Sequence, residues 1–154
     1  MGSKVIHYPE YWAGKKLSYP NVPAEAGKFS RSIVVGNLVF ISGCQGANDE
    51  IARVETMVFE EQMEIALGKI RRALEEAGSS MNDLIKNLIM LKDLKDYPAM
   101  RRTELAYYQK YATFLIDNPP VSSVLGVQLG KPEYLVEIES VGVISREYLA
   151  RLCR

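Results

Sequence analysis

Histidine and cysteine are almost missing from this chain. His7 stands alone, and the two cysteines, Cys44 and Cys153, lie far apart. That is too few and too scattered for a zinc site or a disulfide framework, and a reducing, cytoplasmic compartment is the expectation. Charge of one sign is also missing. Lysine plus arginine is 19 and aspartate plus glutamate is 19, a formal net charge of zero, whereas a nucleic-acid binder usually carries a basic surplus. No run approaches the ~18 apolar residues that a membrane span needs. The N-terminal MGSKVIHYPEYWAGKK lacks the sustained apolar stretch of a signal peptide. Internal repeats and low-complexity segments are absent as well.

What remains is an ordinary globular composition: 154 residues, 47% hydrophobic and 25% charged. One domain is the natural reading, and a chain of this length buries roughly 70% of its unfolded surface. Residues 1–28 stand apart. They are rich in proline and aromatics (Tyr8, Pro9, Tyr11, Trp12, Tyr19, Pro20, Pro23) and make a poor helix and a poor strand. They are expected to form an extension that packs on the body or on a neighbouring subunit, with residues 29–154 as the single domain.

The organising stretch is GNLVFISGCQG at 36–46. Its apolar, β-branched and aromatic run reads as a buried strand entered through a Gly-Asn turn, so 30–35 and 38–42 are expected to form a hairpin. Ser42-Gly43 ends it, and a residue without Cβ there permits close approach to the backbone. Residues 47–56 read as a loop or ragged edge strand. A helix is expected over 58–77, because Met63, Leu67, Ile70, Leu74 and Ala77 recur in one apolar stripe. Arg71–Glu75 and Arg72–Glu76 are i,i+4 pairs on its wet side, and Gly78 is the expected stop.

LIKNLIMLKDL has apolar residues on both parities and reads as a strand covered on both faces. A second helix follows over 97–114, with Asp96 as N-cap and Pro98 in its first turn. Its tyrosines are packing groups. Asn118-Pro119-Pro120 breaks the chain before strands at 121–129 and 134–144, and 145–154 reads as a short terminal helix. The order β-β-α-β-α-β-β implies an α+β sandwich, one mixed sheet with two helices on one face. Nothing in one chain is left to cover the other face, so a second subunit is expected there.

Side chains alternate along a strand. Tyr134, Val136 and Ile138 therefore share the face toward the helices. Glu137 and Glu139 share the other face with Leu135, Val141 and Val143. Charged residues are almost never buried unpaired. Two carboxylates in such a row suit either a solvated edge or intersubunit salt bridge, or a carboxyl in a cleft with its pKa raised for proton transfer. A small polar site is expected where Ser123, Ser42-Gly43 and Glu137 converge.

With these segments in view the chain resembles the YjgF family, the reactive-intermediate deaminases (Rid). The resemblance runs from about Phe29 to Val143 and rests on GNLVFISG at 36–43, EEQMEIALGKIRRALEEAGSS at 60–80, DLIKNLIMLKDLKDY at 83–97, and Pro119-Pro120 followed by YLVEIESVGV at 134–143. It implies a chorismate-mutase-like fold of the bacillus type and a homotrimer with ligand clefts between subunits. It also implies hydrolysis of reactive enamines or imines to release ammonia, with no metal or organic cofactor. By the same resemblance Ser42 and Gly43 match the cleft strand end and Phe29 the aromatic lid position. Glu137 matches the glutamate that positions or protonates the attacking water. The chain departs at Val121, where deaminating members carry an arginine that grips the substrate carboxylate, and at Ser123, where many have cysteine. Residues 101–107 also lack a usual asparagine.

Valine neither donates nor carries charge. Either another cation replaces the arginine, with Arg31, Arg101, Arg102 and Lys28 as candidates, or the substrate has no carboxylate there. The expectation is an imine or enamine hydrolase with altered substrate choice. The alternative is a non-catalytic trimeric ligand-binding or regulatory protein. Nuclease activity, a label some members of the family carry, suits this chain of zero net charge and one histidine least.

Overall fold

The computed structural model describes residues 4–19, 22–24, 26 and 29–145. The expected terminal helix and Lys28 lie outside the described residues. Strand β1 (Lys4–His7) opens the chain, followed by a small hairpin of β2 (Tyr11–Trp12) and β3 (Lys15–Lys16). Then come β4 (Ser32–Val35), β5 (Leu38–Gln45), helix α1 (Phe59–Glu76), β6 (Leu84–Leu91), α2 (Tyr97–Tyr111), the short α3 (Phe114–Asp117), β7 (Val121–Gly126) and β8 (Val136–Val143). Residues 4–7, read from composition as a poor strand, pair antiparallel with β4 and add an edge to the sheet.

The six-stranded sheet has the order β1-β4-β5-β8-β6-β7. All its pairings are antiparallel except β6 with β7. The last strand in sequence is thus inserted between β5 and β6. α1 spans the crossover from β5 to β6, and α2 the crossover from β6 to β7. Both helices pack on one face. Met63, Leu67, Ile70 and Leu74 of α1 are fully buried against Val39, Ile41, Ile89, Val136 and Ile138 of the sheet. Burying each such side chain contributes about 1.5–3 kcal/mol, and this layer is the core.

Gly78, at φ +79°, stops α1 as expected. Ser79 N–H donates to Leu74 O at 2.9 Å and Gly78 N–H to Glu75 O at 3.0 Å, the paired bonds of a Schellman cap. The expected wet-side pairs do not form. Glu76 bonds Arg31 instead, and the Arg71 guanidinium lies over the Tyr111 ring at 4.2 Å. Asp96 occupies the N-cap of α2 but makes no capping bond with its side chain. Asp93 caps the preceding 3-10 turn, accepting from Lys95 N–H at 2.9 Å. The second helix ends three residues early, at Tyr111, and Asn82 Oδ1 accepts from Phe114 N–H at the start of α3.

The second face of the sheet is open in a single chain. On β6, Asn87, Ile89 and Leu91 are buried toward the helices, while Lys86 is exposed and Leu88 and Met90 are half-buried. A strand expected to be covered on both sides is therefore covered on one. Phe40, Val121 and Leu125 on the same open face are 45%, 69% and 47% exposed.

Candidate functional site

The centre of the candidate site is a β-bulge. Along β5 and β8, Ile41 faces Ser140 and Cys44 faces Ile138, so Ser42 and Gly43 together oppose Glu139. The bulge is tied down from behind. Ser42 Oγ donates to Ser30 O at 2.6 Å and Ser42 N–H to Arg31 O at 3.0 Å. These bonds also bring Phe29, one residue before Ser30 and half exposed, to the neighbourhood of the bulge, where its ring meets Trp12 edge-on at 6.1 Å.

Gly43 leaves room for a carboxylate rather than for a strand neighbour. A Cβ at this position would overlap Glu137 Oε1 and come within 2.9 Å of its Cδ. The space that a side chain would take is occupied by the Glu137 carboxyl. Glu137 stays half exposed, Glu139 is exposed one alternation further on, and neither carboxylate has a hydrogen bond or ion pair among the described residues.

The placement of Glu137 also depends on a residue that periodicity does not single out. Gln62, fully buried on α1, donates to Thr56 O at 2.8 Å and Glu133 O at 3.0 Å and accepts from Leu135 N–H at 2.9 Å. It pins the segment entering β8 two residues before Glu137. The EEQ triplet gave no warning, because an interior glutamine on a polar-looking first turn reads as surface.

Behind the bulge, Cys44 is buried. Desolvation pushes its thiol up to about 12, with the Lys69 charge opposing. A thiol held neutral this firmly is a packing group and not a nucleophile.

Val121 and Ser123 do not join this cluster within one chain. Val121 faces Lys86 and Ser123 faces Leu88 on β6, and β6 in turn separates β7 from β8. Val121 therefore lies two strand spacings, about 10 Å, to the side of Glu137, and its row is a further ~13 Å along the strand. The expected convergence of Ser123 with Ser42-Gly43 and Glu137 is absent inside the subunit. The cation candidates are also engaged elsewhere. Arg31 bonds Glu10 and Glu76, Arg101 bonds Glu104 at 2.5 Å, and Arg102 lies 3.9 Å from Glu60. The charge of Glu104 and a bond to Tyr97 raise the pKa of Arg101 against partial desolvation.

An α+β sandwich with one sheet face open and a glutamate seated on a glycine bulge defines the class. The comparisons with known proteins give the family. A family model described as Endoribonuclease L-PSP matches residues 20–144, and the chain belongs to that family, the YjgF/Rid family. A 2-iminobutanoate/2-iminopropanoate deaminase of Dermatophagoides farinae is 29% identical over 129 residues, covering 83% of this chain and 94% of the relative. The Escherichia coli protein of the same name is 26% identical over 130 residues, 84% and 97% of the two chains. The crystal structure of the YjgF gene product from E. coli superposes with a TM-score of 0.69 at 26% identity, covering 85% of this chain and 99% of that one. The fold is the chorismate-mutase-like α+β fold of those structures.

Proposed function

We propose that this protein is a cytoplasmic, homotrimeric, metal-independent deaminase of a reactive enamine or imine, with a substrate choice that departs from the standard 2-imino acids. The observation that carries the reading is the Glu137 carboxylate seated on the Gly43 bulge, on a chain whose relatives are named as imine deaminases. The chemistry needs little more than that carboxylate. Water adds to the C=N carbon while Glu137 accepts its proton. Glu137 returns that proton to the nitrogen, giving a carbinolamine; it then takes the carbinolamine's hydroxyl proton and delivers it to the amine as the C–N bond breaks, so that a carbonyl compound and ammonia leave. No metal is invoked, since among the described residues no three His, Cys, Asp or Glu side chains gather to hold one.

Two features support the trimer. The open face carries Phe40, Val121, Leu125, Val141 and Val143, which one chain leaves wet. Val121 and Ser123 can meet Glu137, Ser42 and Gly43 only across a subunit boundary, so the ligand cleft lies between copies, with Phe29 at its lid. Residues 29–154 form the working domain, and 1–28 are its extension. Val121 carries the second reading, a ligand-binding protein without turnover, because it puts an isopropyl group where a guanidinium would grip a carboxylate.

Ammonia release from a panel of imines and enamines separates the two. Wild type is expected to be poor on 2-imino acids derived from alanine or leucine. Val121→Arg is expected to improve their use roughly 10- to 150-fold, the worth of a charge-assisted hydrogen bond, and Glu137→Gln is expected to abolish the gain. No turnover on any imine by a folded trimer, with or without the arginine, would leave the binding-protein reading. Light scattering that returned a monomer mass at micromolar concentration would remove the cleft altogether.

A further inference from the structure

One row of the open sheet face sets a cation among apolar side chains. Lys86 of β6 is flanked by Val121 of β7 and Val141 of β8. It is exposed, and its ammonium has no hydrogen bond or ion pair among the described residues. The nearest carboxylate on this face is Glu139, one row along and across to β8, opposite Leu88, and the two are not paired. Val121, the register partner of Lys86, and Ile85, its chain neighbour, help line a pocket of about 300 Å³ together with Asp83, Phe114, Pro119 and Val143. A strand spacing is about 4.8 Å, so a lysine stem of four methylenes is long enough to carry its charge past the neighbouring valine toward this pocket.

We propose that Lys86 is the anion anchor of the cleft, holding the carboxylate of a small ligand whose short apolar chain enters the pocket beside Val121. The inference rests on the reading of this face as the ligand face. Once a second copy covers the face, an ammonium with no partner loses its hydration, and a buried charge without a counter-charge is costly. A ligand carboxylate supplies the counter-charge. An ammonium binds as a point charge where a guanidinium would bind bidentately. The anion is thus held one strand away from Val121, which makes the preferred substrates carboxylates of different reach rather than neutral molecules.

The test is calorimetric titration of the assembled protein with straight-chain 2-oxo acids of three to six carbons, each against its neutral primary amide. Wild type is expected to prefer the acid. Lys86→Met is expected to weaken acid binding roughly 10- to 150-fold and leave amide binding and the assembly mass unchanged, and Lys86→Arg is expected to keep the preference. Equal affinity of wild type for acid and amide, or an unchanged acid affinity in Lys86→Met, would overturn the proposal. So would a Lys86→Met variant that folds and falls apart into monomers, because the ammonium then pairs with a neighbouring copy. Binding is read without turnover, so a protein that prefers the acids yet releases no ammonia sinks the deaminase reading and leaves the anchor standing.

Discussion

The two faces of strands β6 and β8 treat polar groups in opposite ways. Toward the helices, Asn87 and Ser140 are almost completely buried and fully engaged. Ser140 Oγ donates to Asn87 Oδ1 at 2.7 Å and Asn87 Nδ2 to Tyr108 Oη at 3.1 Å. Tyr108 Oη donates to Glu104 Oε1 at 3.3 Å, and Arg101 closes the chain at the surface. Burial drives the Tyr108 hydroxyl far above its ordinary pKa, with the Glu104 charge adding to it, so it remains a donor throughout the accessible range. On the other face of the same strands, Lys86, Glu137 and Glu139 have no such partners among the described residues. A buried polar group must be satisfied from within the chain. The exposed groups on the open face are solvated in a single chain, and need no partner until that face is covered. The inward network is therefore structural, and the outward charges are the groups on which the proposed ligand and partner chemistry rests.

The sharpest way to break this contrast is to empty one methyl-lined position on each face. Ile138→Ala, at a fully buried inner position, is expected to cost about 2–5 kcal/mol at any protein concentration. Val141→Ala, on the outer face, is expected to show its cost mainly as a concentration-dependent melting point. Denaturant titrations at two protein concentrations check both, and equal, concentration-independent losses would mean that the outer face packs on nothing.

Next in size is Gly43→Ala. The added methyl would push aside the far end of a half-exposed side chain, so stability should hardly change. A displaced Glu137 carboxylate is expected to lower any ammonia-releasing activity on the order of 100-fold. Unchanged turnover in a folded variant would remove Glu137 from the mechanism.

The smallest effect concerns the polar groups themselves. Asn87→Ala leaves the Ser140 hydroxyl without its acceptor and takes one donor from Tyr108 Oη, and is expected to cost about 1–3 kcal/mol. Glu139→Gln on the opposite face of β8 is expected to stay within about 0.5 kcal/mol. Chemical denaturation of the two variants side by side decides whether the inner and outer polar groups differ as their partners suggest.

Local chemistry alone determined a good part of this protein. The apolar stripe of α1, its glycine stop, the 36–37 hairpin turn and the opposite facing of Ile138 and Glu137 all follow from period and propensity within a few neighbouring residues, and all are present. The GNLVFISG, EEQMEIALGKIRRALEEAGSS, DLIKNLIMLKDLKDY and Pro119-Pro120 with YLVEIESVGV segments together point to the family. Three features were decided only in three dimensions, because each depends on which distant strands become neighbours. Insertion of β8 between β5 and β6 puts the Glu137 carboxyl on Gly43, and it also carries Val121 and Ser123 away from that carboxyl within the subunit. The parallel pairing of β6 with β7 sets Lys86 beside Val121. Gln62 finds its three backbone partners only after the chain has returned from residue 133. Strand order is set by the packing of whole layers, so a linear pattern that correctly assigns each strand's two faces still leaves open which side chains share a row.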